Sequence, residues 1–323
     1  MQAVIQKSTV ADGVVIEVST TFFPAAIQPG TNGRAPDTIL FSRYGLDDLD
    51  RRALICAPLS DAVFFYCHRS SVLSRSTNSF GNLISLAQEL TNSSELSSNS
   101  SSGGTRSNLP TFALSEVSSV INLMLHIVYG LSSQRFAPDL DTIELSLRAL
   151  EKYGIPAPDE AAEIWTVLLH HAQTQPLRAY AIAAGHAMEA ICVRISPYTL
   201  KHSLTGVTEG DALTMGPLYL RRLFFLHLGR KDALKRVIEK PPAAHRPLST
   251  CSPEDAMQIV QAWEVAVANI IVLPMPQCVS EDELRNIFAT VVRRRRMCLE
   301  CLASVRARVS TVIADWEAIK KTI

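Results

Sequence analysis

The stretch Val63 to Phe80, VFFYCHRSSVLSRSTNSF, decides how the rest of the chain is read. It opens with an apolar run rich in aromatic residues, the composition of a buried strand. The pair His68-Arg69 follows, then a short apolar turn at Val72-Leu73. Ser76 is predicted to start a helix carrying Phe80, Leu83, Ile84 and Leu86. Strand, polar hinge and helix in that order make the spine of a small α/β module.

Working outward, Asp37 to Ser42 is the nearest upstream strand candidate, expected to pair antiparallel with Val63–Cys67. Residues 43–59 between them are long for a hairpin, where about 2–5 residues is usual. They are read as an insertion with its own strand at Leu54–Ala57, or as a translated intron. Further upstream, Val14 to Val18 is a short strand candidate and Phe22-Phe23-Pro24 a tethering contact; residues 1–12 are expected to be disordered. Downstream, residues 91–108 are Ser, Gly and Asn of low complexity. They bury too little apolar surface to offset their ordering entropy and are expected to be a disordered loop.

Beyond that loop, Phe112 to Leu114 reads as a strand and Ser115 as the cap of a helix. Val117, Val120, Ile121, Met124, Leu125 and Val128 fall on one helical face, which reads as core. Tyr129-Gly130 ends that helix. Asp141 to Tyr153 is a second amphipathic helix, stopped by Gly154 and Pro156. From Pro158 only helices are predicted, over 158–173, 176–186, 187–195, 208–215 and 217–239, with Pro158 and Pro176 in first turns. Ser252-Pro253-Glu254-Asp255 opens a helix to about Leu273. Ser280 to Glu283 is a capping box opening one long terminal helix that ends at Lys320-Lys321.

At 323 residues the chain suits about two domains. Basic and acidic side chains balance at 31 each, so no global charge steers it to nucleic acid or anionic membrane. The opening residues lack a basic n-region followed by an apolar h-region. The longest uncharged apolar stretch, Val117 to Leu131, falls short of the ~20 residues of a membrane span. The seven cysteines are then expected to be reduced thiols of the cytoplasm or nucleus.

Asp37-x-x-Leu40, Val63 to Arg69, Leu73, Ser76 and Phe80 together resemble the opening of a BTB/POZ domain. So do Ile127-Val-Tyr-Gly130 and Leu147-x-Ala-Leu-x-x-Tyr-Gly-Ile155. Residues 13–323 as a whole resemble the BTB proteins of mushroom-type fungi, through Pro176 to Ala181, Pro217 to Arg230, Cys298-Leu-Glu-Cys301 and Trp316. The resemblance implies a protein-interaction module, often a homodimer. Asp37 and Arg69, beside His68, match positions that line a charged pocket in the dimer groove of animal BTB repressors. Some BTB proteins recruit corepressors; others are substrate adaptors of cullin-type ubiquitin ligases.

The residues themselves carry little catalytic chemistry. Cys67 and His68 are adjacent in a strand and point to opposite faces, so they form no dyad. His170-His171 lacks the spacing that puts two ligands on one helix face, and no Walker loop, GxSxG or GxGxxG is present. Cys298-x-x-Cys301 is one half of a zinc motif. These thiols are expected to pack as small hydrophobes, with no metal bound; Cys251, Cys278 and His245 complete a site only if the terminal helices fold back on the linker. No cofactor is expected. The run Arg293, Arg294, Arg295, Arg296 reads as a solvated helix face or, alternatively, a nuclear-localisation signal. Nucleic-acid contact wants a broader basic face.

The expected fold is α+β: a BTB/POZ-like domain at 13–155, with a short, mostly antiparallel sheet flanked by helices. An all-α region follows, as helices at 156–242 and a linker with C-terminal helices at 243–323. The expected function is non-catalytic protein–protein interaction, self-associating through the BTB domain. A cullin-ligase substrate adaptor and a nuclear transcription-associated factor are the alternatives.

Overall fold

Two reversals of the chain, not one, separate the strand at residue 37 from the strand at residue 63. In the computed structural model β2 (Asp37–Phe41) is followed by β3 (Ala53–Pro58) and then β4 (Val63–His68). Strand β3 pairs antiparallel with β4, Leu54 opposite Cys67. Strand β2 therefore runs parallel to β4, Asp37 opposite Val63 and Phe41 opposite Cys67. The antiparallel pairing expected of β2 and β4 is thus corrected: the segment 43–59 holds a strand, and that strand takes the hairpin place. With β1 (Val18–Ser19) and β5 (Thr111–Leu114) the order is β1-β2-β4-β3-β5. β1 pairs antiparallel with β2, and β5 parallel with β3. The sheet is mixed, not mostly antiparallel, and the chain overall is mostly helical.

The structure describes residues 18–19, 37–41, 53–58, 63–83, 111–246, 248, 251–293 and 297–323. The expectations for residues 1–12, Val14 to Glu17, Phe22 to Pro24, Ile84, Leu86, residues 91–108 and Arg294 to Arg296 lie outside them. The chain divides into two compact units, the first ending at Leu168 and the second beginning at Leu169.

In the first unit, helix α1 (Arg69–Leu73) follows β4 directly, where only a turn was expected. The helix expected from Ser76 does not begin there: residues 77–82 are turns, with Ser79, Phe80, Gly81 and Asn82 all at positive φ, and helix is first assigned at Leu83. Side chains satisfy the backbone there instead of helical carbonyls. Ser76 Oγ donates to the Tyr153 carbonyl at 2.7 Å and accepts from the Phe80 N–H, and Asn78 Oδ1 accepts from the Gly81 N–H. Such local bonds compete with helix. Phe80 still reaches the core, stacked on Tyr153 with centroids 4.4 Å apart.

Helix α2 (Ser118–Tyr129) buries Val120, Ile121, Met124, Leu125 and Val128 against α3 (Leu140–Lys152), which presents Ile143, Leu147 and Leu150. Full burial of each such side chain stabilises by ~1.5–3 kcal/mol. Val117 caps α2 instead of Ser115 and is exposed, so it leaves the apolar face assigned to it. Gly130 closes α2 at φ 65°, a left-handed position that costs glycine nothing. Asp139 caps α3, its side chain accepting from the Thr142 N–H. Helix α4 (Glu163–His171) starts five residues after Pro158, which is not in its first turn.

In the second unit α5 (Pro176–Gly185), with Pro176 in its first turn, packs between α6 (Glu189–Thr199) and α7 (Glu209–Ile238). Helix α7 breaks at Gly216 (φ 68°, ψ 171°), just before Pro217, so it is two helical pieces as the sequence suggests. Its Leu218–Leu228 stripe is not all core. Tyr219, Leu223 and Leu226 are buried, while Leu218, Phe225 and Leu228 face outward.

Helix α8 (Pro253–Ile271) begins with a Ser252–Asp255 capping box. The single terminal helix expected from Ser280 is two: α9 (Glu281–Arg293) and α10 (Leu299–Ala318). Ser280 and Glu283 do form the predicted box. Lys320 and Lys321 lie past the end of α10 and do not cap its dipole. Leu234 and Ile238 of α7, Trp263 and Ile270 of α8, Leu284 and Phe288 of α9 and Val305 and Val312 of α10 form one core.

Candidate metal centre

The break between α9 and α10 makes Cys298 a helix cap. Its Sγ accepts from the Cys301 N–H at 3.3 Å, at the positive end of the α10 dipole. Cys301, one turn into the helix, is buried and lies beside it. Helix α10 carries this pair to the linker that follows α7. Arg308 donates to the carbonyls of Val237 and Lys240, and Ser304 to that of Ala243. The linker then brings His245 over the two sulfurs. A narrow antiparallel bridge, Leu248 with Cys251, turns the chain so that Cys251 enters from the other side, just before the α8 cap.

The four donor atoms converge. His245 Nε2 lies 3.1 Å from Cys298 Sγ and 3.1 Å from Cys301 Sγ. Cys251 Sγ is 3.7 Å from Cys301 Sγ, and all four atoms lie within 4.8 Å of one another. The imidazole is oriented from behind: its Nδ1 is 2.6 Å from the Arg246 carbonyl. A carbonyl only accepts, so Nδ1 carries the proton and Nε2 turns a lone pair toward the sulfurs. Glu300 Oε2 stands 3.8 Å from the same Nδ1.

The three thiols are not equivalent. The Cys301 N–H holds Cys298 down to about 7, where thiolate is abundant at neutral pH. Burial pushes Cys301 up to about 12 and also raises Cys251. The bond to the Arg246 carbonyl raises His245.

Of the sequence candidates, the structure therefore brings together Cys298, Cys301, Cys251 and His245. Cys278 is not among them. It ends a single 3-10 turn, Pro276–Cys278, with its thiol 3.3 Å from the Met275 carbonyl. The single terminal helix expected from Ser280 would hold both Cys298 and Cys301; only Cys301 is helical. The signal for this was local, since a residue that can accept a hydrogen bond three positions before the next one fits an N-cap.

The other candidates stay apart. His68 ends β4, its N–H donating to the Tyr129 hydroxyl at 2.7 Å and its Nδ1 facing the same oxygen at 3.2 Å. Arg69 begins α1. Asp37 sits at the opposite end of the parallel β2–β4 pair, opposite Val63. The charged pocket that the resemblance implies for Asp37 and Arg69 belongs to a dimer groove between two chains. His170 and His171 end α4 with ring centroids 6.3 Å apart. Arg293 ends α9.

No family model, curated protein or solved structure matches the chain. No helix among the described residues is long and apolar enough to cross a membrane.

Proposed function

We propose that the chain is a non-catalytic protein–protein interaction module of the BTB/POZ type, self-associating through residues 13–155 and followed by an all-helical unit. The observation that carries this reading is the join of His68 to Tyr129. It links the His-Arg end of a sheet strand to the Tyr-Gly end of the principal helix, the two segments that most resemble a BTB domain. The polar groups of the first unit support it by being spent on structure. Ser76, Thr77 and Asn78 all bond the Lys152–Gly154 backbone. Lys152 and Tyr153 both hold Glu116. That network rigidifies a surface of the first unit.

The test is the mass of the full chain by light scattering after size exclusion, combined with affinity capture from its own cells. A dimer, with protein partners recovered, is expected. Cullin and ubiquitin machinery in the eluate would make the partner a ligase; corepressor or chromatin subunits would make it nuclear. A strictly monomeric chain with no partner overturns the reading.

A further inference from the structure

We infer that His245, Cys251, Cys298 and Cys301 bind one structural Zn²⁺ ion that staples the linker before α8 to the N-terminus of α10. The inference is independent of how the first unit associates. Around a tetrahedral Zn²⁺, bond lengths of about 2.3 Å to sulfur and 2.0–2.1 Å to nitrogen put two sulfurs about 3.8 Å apart and a sulfur and nitrogen about 3.5 Å apart. The Cys251–Cys301 edge of 3.7 Å already fits, the two His245 edges of 3.1 Å need to open by about 0.4 Å, and the remaining separations, all within 4.8 Å, need at most a modest closing around an ion. The same 3.7 Å is far from the roughly 2.05 Å of a disulfide.

Three further observations make this a built site. The donors come as two local pairs, one from the linker and one from a helix start, so two separate stretches converge on one point. The His245–Cys298 contact alone spans 53 positions. The Arg246 carbonyl fixes the imidazole in the tautomer a metal needs, as outer-shell partners of ligating histidines do. The Cys301 N–H donates to the Cys298 sulfur at 3.3 Å, an outer-shell hydrogen bond of the kind that supports a thiolate ligand. The donor set selects the ion. Three thiolates and an imidazole suit Zn²⁺ and reject Mg²⁺ and Ca²⁺, which want oxygen. Four protein donors fill a tetrahedron and leave no open position for water or substrate, so the site is structural. Binding closes the loop containing α8 and α9, and releases thiol protons to solvent.

The experiment measures metal in the full-length chain, purified under reducing conditions and desalted, by plasma mass spectrometry. About one zinc per chain is expected, with X-ray absorption showing about three sulfur and one nitrogen neighbours. Cys298→Ser and His245→Ala should each lose zinc affinity by about tenfold or more, since losing even an outer-shell partner costs about 10–100-fold, while Cys278→Ser keeps its zinc. His245 is only half-buried, so its variant reports binding even where Cys301→Ser fails to fold. Co²⁺ loaded into the same chain should give the visible bands of tetrahedral thiolate coordination, absent in Cys298→Ser. A folded wild-type chain without zinc overturns the inference. So does zinc retained undiminished in both Cys298→Ser and His245→Ala, or a Cys251–Cys301 disulfide trapped by alkylation on isolation.

Discussion

The guanidinium of Arg230 sits over the Trp316 indole, 4.1 Å from the ring centroid. From there its Nε donates to the Gln277 carbonyl and its Nη1 to those of Ile319 and Lys320. Trp316 in turn donates to the Val279 carbonyl at 2.9 Å. One buried side chain on α7 thus holds both the turn before α9 and the segment after α10. Burial lowers its pKa from the usual arginine range, yet it stays charged at any physiological pH.

Replacing Arg230 by Ala strips three carbonyls of a charged donor and the indole of its cation. A loss of about 2–4 kcal/mol is expected in urea unfolding of the full chain. Arg230→Lys should recover less than half of it, because an ammonium on a flexible stem cannot match a planar fork. Full recovery by lysine would show that charge alone matters here.

Trp263 and Phe288 stack with centroids 4.2 Å apart and an interplanar angle of 20°, and Trp263 Nε1 donates to the Ile238 carbonyl at 2.9 Å. Trp263→Ala should cost about 3–5 kcal/mol, the range for deleting a buried aromatic. Trp263→Phe keeps the stack but orphans the carbonyl, at about 1–3 kcal/mol. Denaturant midpoints rank the three proteins; a Phe variant as stable as wild type would mean that water or a rearranged donor satisfies Ile238.

Short-range features were legible in the sequence because they depend only on neighbours. The Ser252–Asp255 and Ser280–Glu283 boxes each close within three positions, Pro176 needs only its own fixed φ, and Gly130 only its own freedom. Features set by distant partners were not. The loop at Ser76–Gly81 reads as helix because its carbonyl partners lie 74–77 positions away, at Lys152–Gly154. The direction of β2 against β4 depends on how many strands lie between them. The choice of His245 and Cys251 over Cys278 depends on a helix break that the continuous pattern through Arg293–Arg296 hides. The sequence offers the four ligands together with Cys278, and which of them meet is a tertiary fact.

His227 lies buried in α7 with Nε2 3.2 Å from Thr199 Oγ1. The Thr199 hydroxyl is spent on the Ser196 carbonyl at 2.6 Å, so Nε2–H donates to Thr199. Burial lowers its pKa from 6.5 to about 4. The unfolded chain then takes up the proton first as pH falls. Stability from this group is complete above about pH 6.5 and is lost progressively toward pH 4, in total by about 3 kcal/mol. Urea unfolding at pH 7, 5.5 and 4 should show a steeper decline for wild type than for His227→Gln, which carries no titrating ring. Parallel declines would place the titration elsewhere.

Gly154 tests the closure of the first unit. Its carbonyl accepts from the Thr77 N–H at 2.8 Å and from the Thr77 hydroxyl at 3.0 Å, and its φ of 66° ends α3 in the left-handed region. A Cβ there would come within 2.5 Å of the Asn78 side chain and 2.9 Å of its backbone nitrogen. Asn78 cannot simply swing away, because its Nδ2 holds the Lys152 carbonyl and its Oδ1 the Gly81 N–H. Gly154→Ala therefore adds a left-handed penalty of ~1–2 kcal/mol to a clash that breaks this lattice. A total loss of about 2–4 kcal/mol is expected, with early amide exchange at Thr77 and Gly81. Asn78→Ala relieves the contact with the Asn78 side chain but leaves the φ penalty, so Gly154→Ala/Asn78→Ala should be less destabilised than the sum of the two single variants. Strict additivity would mean that the loop and the end of α3 do not touch as described.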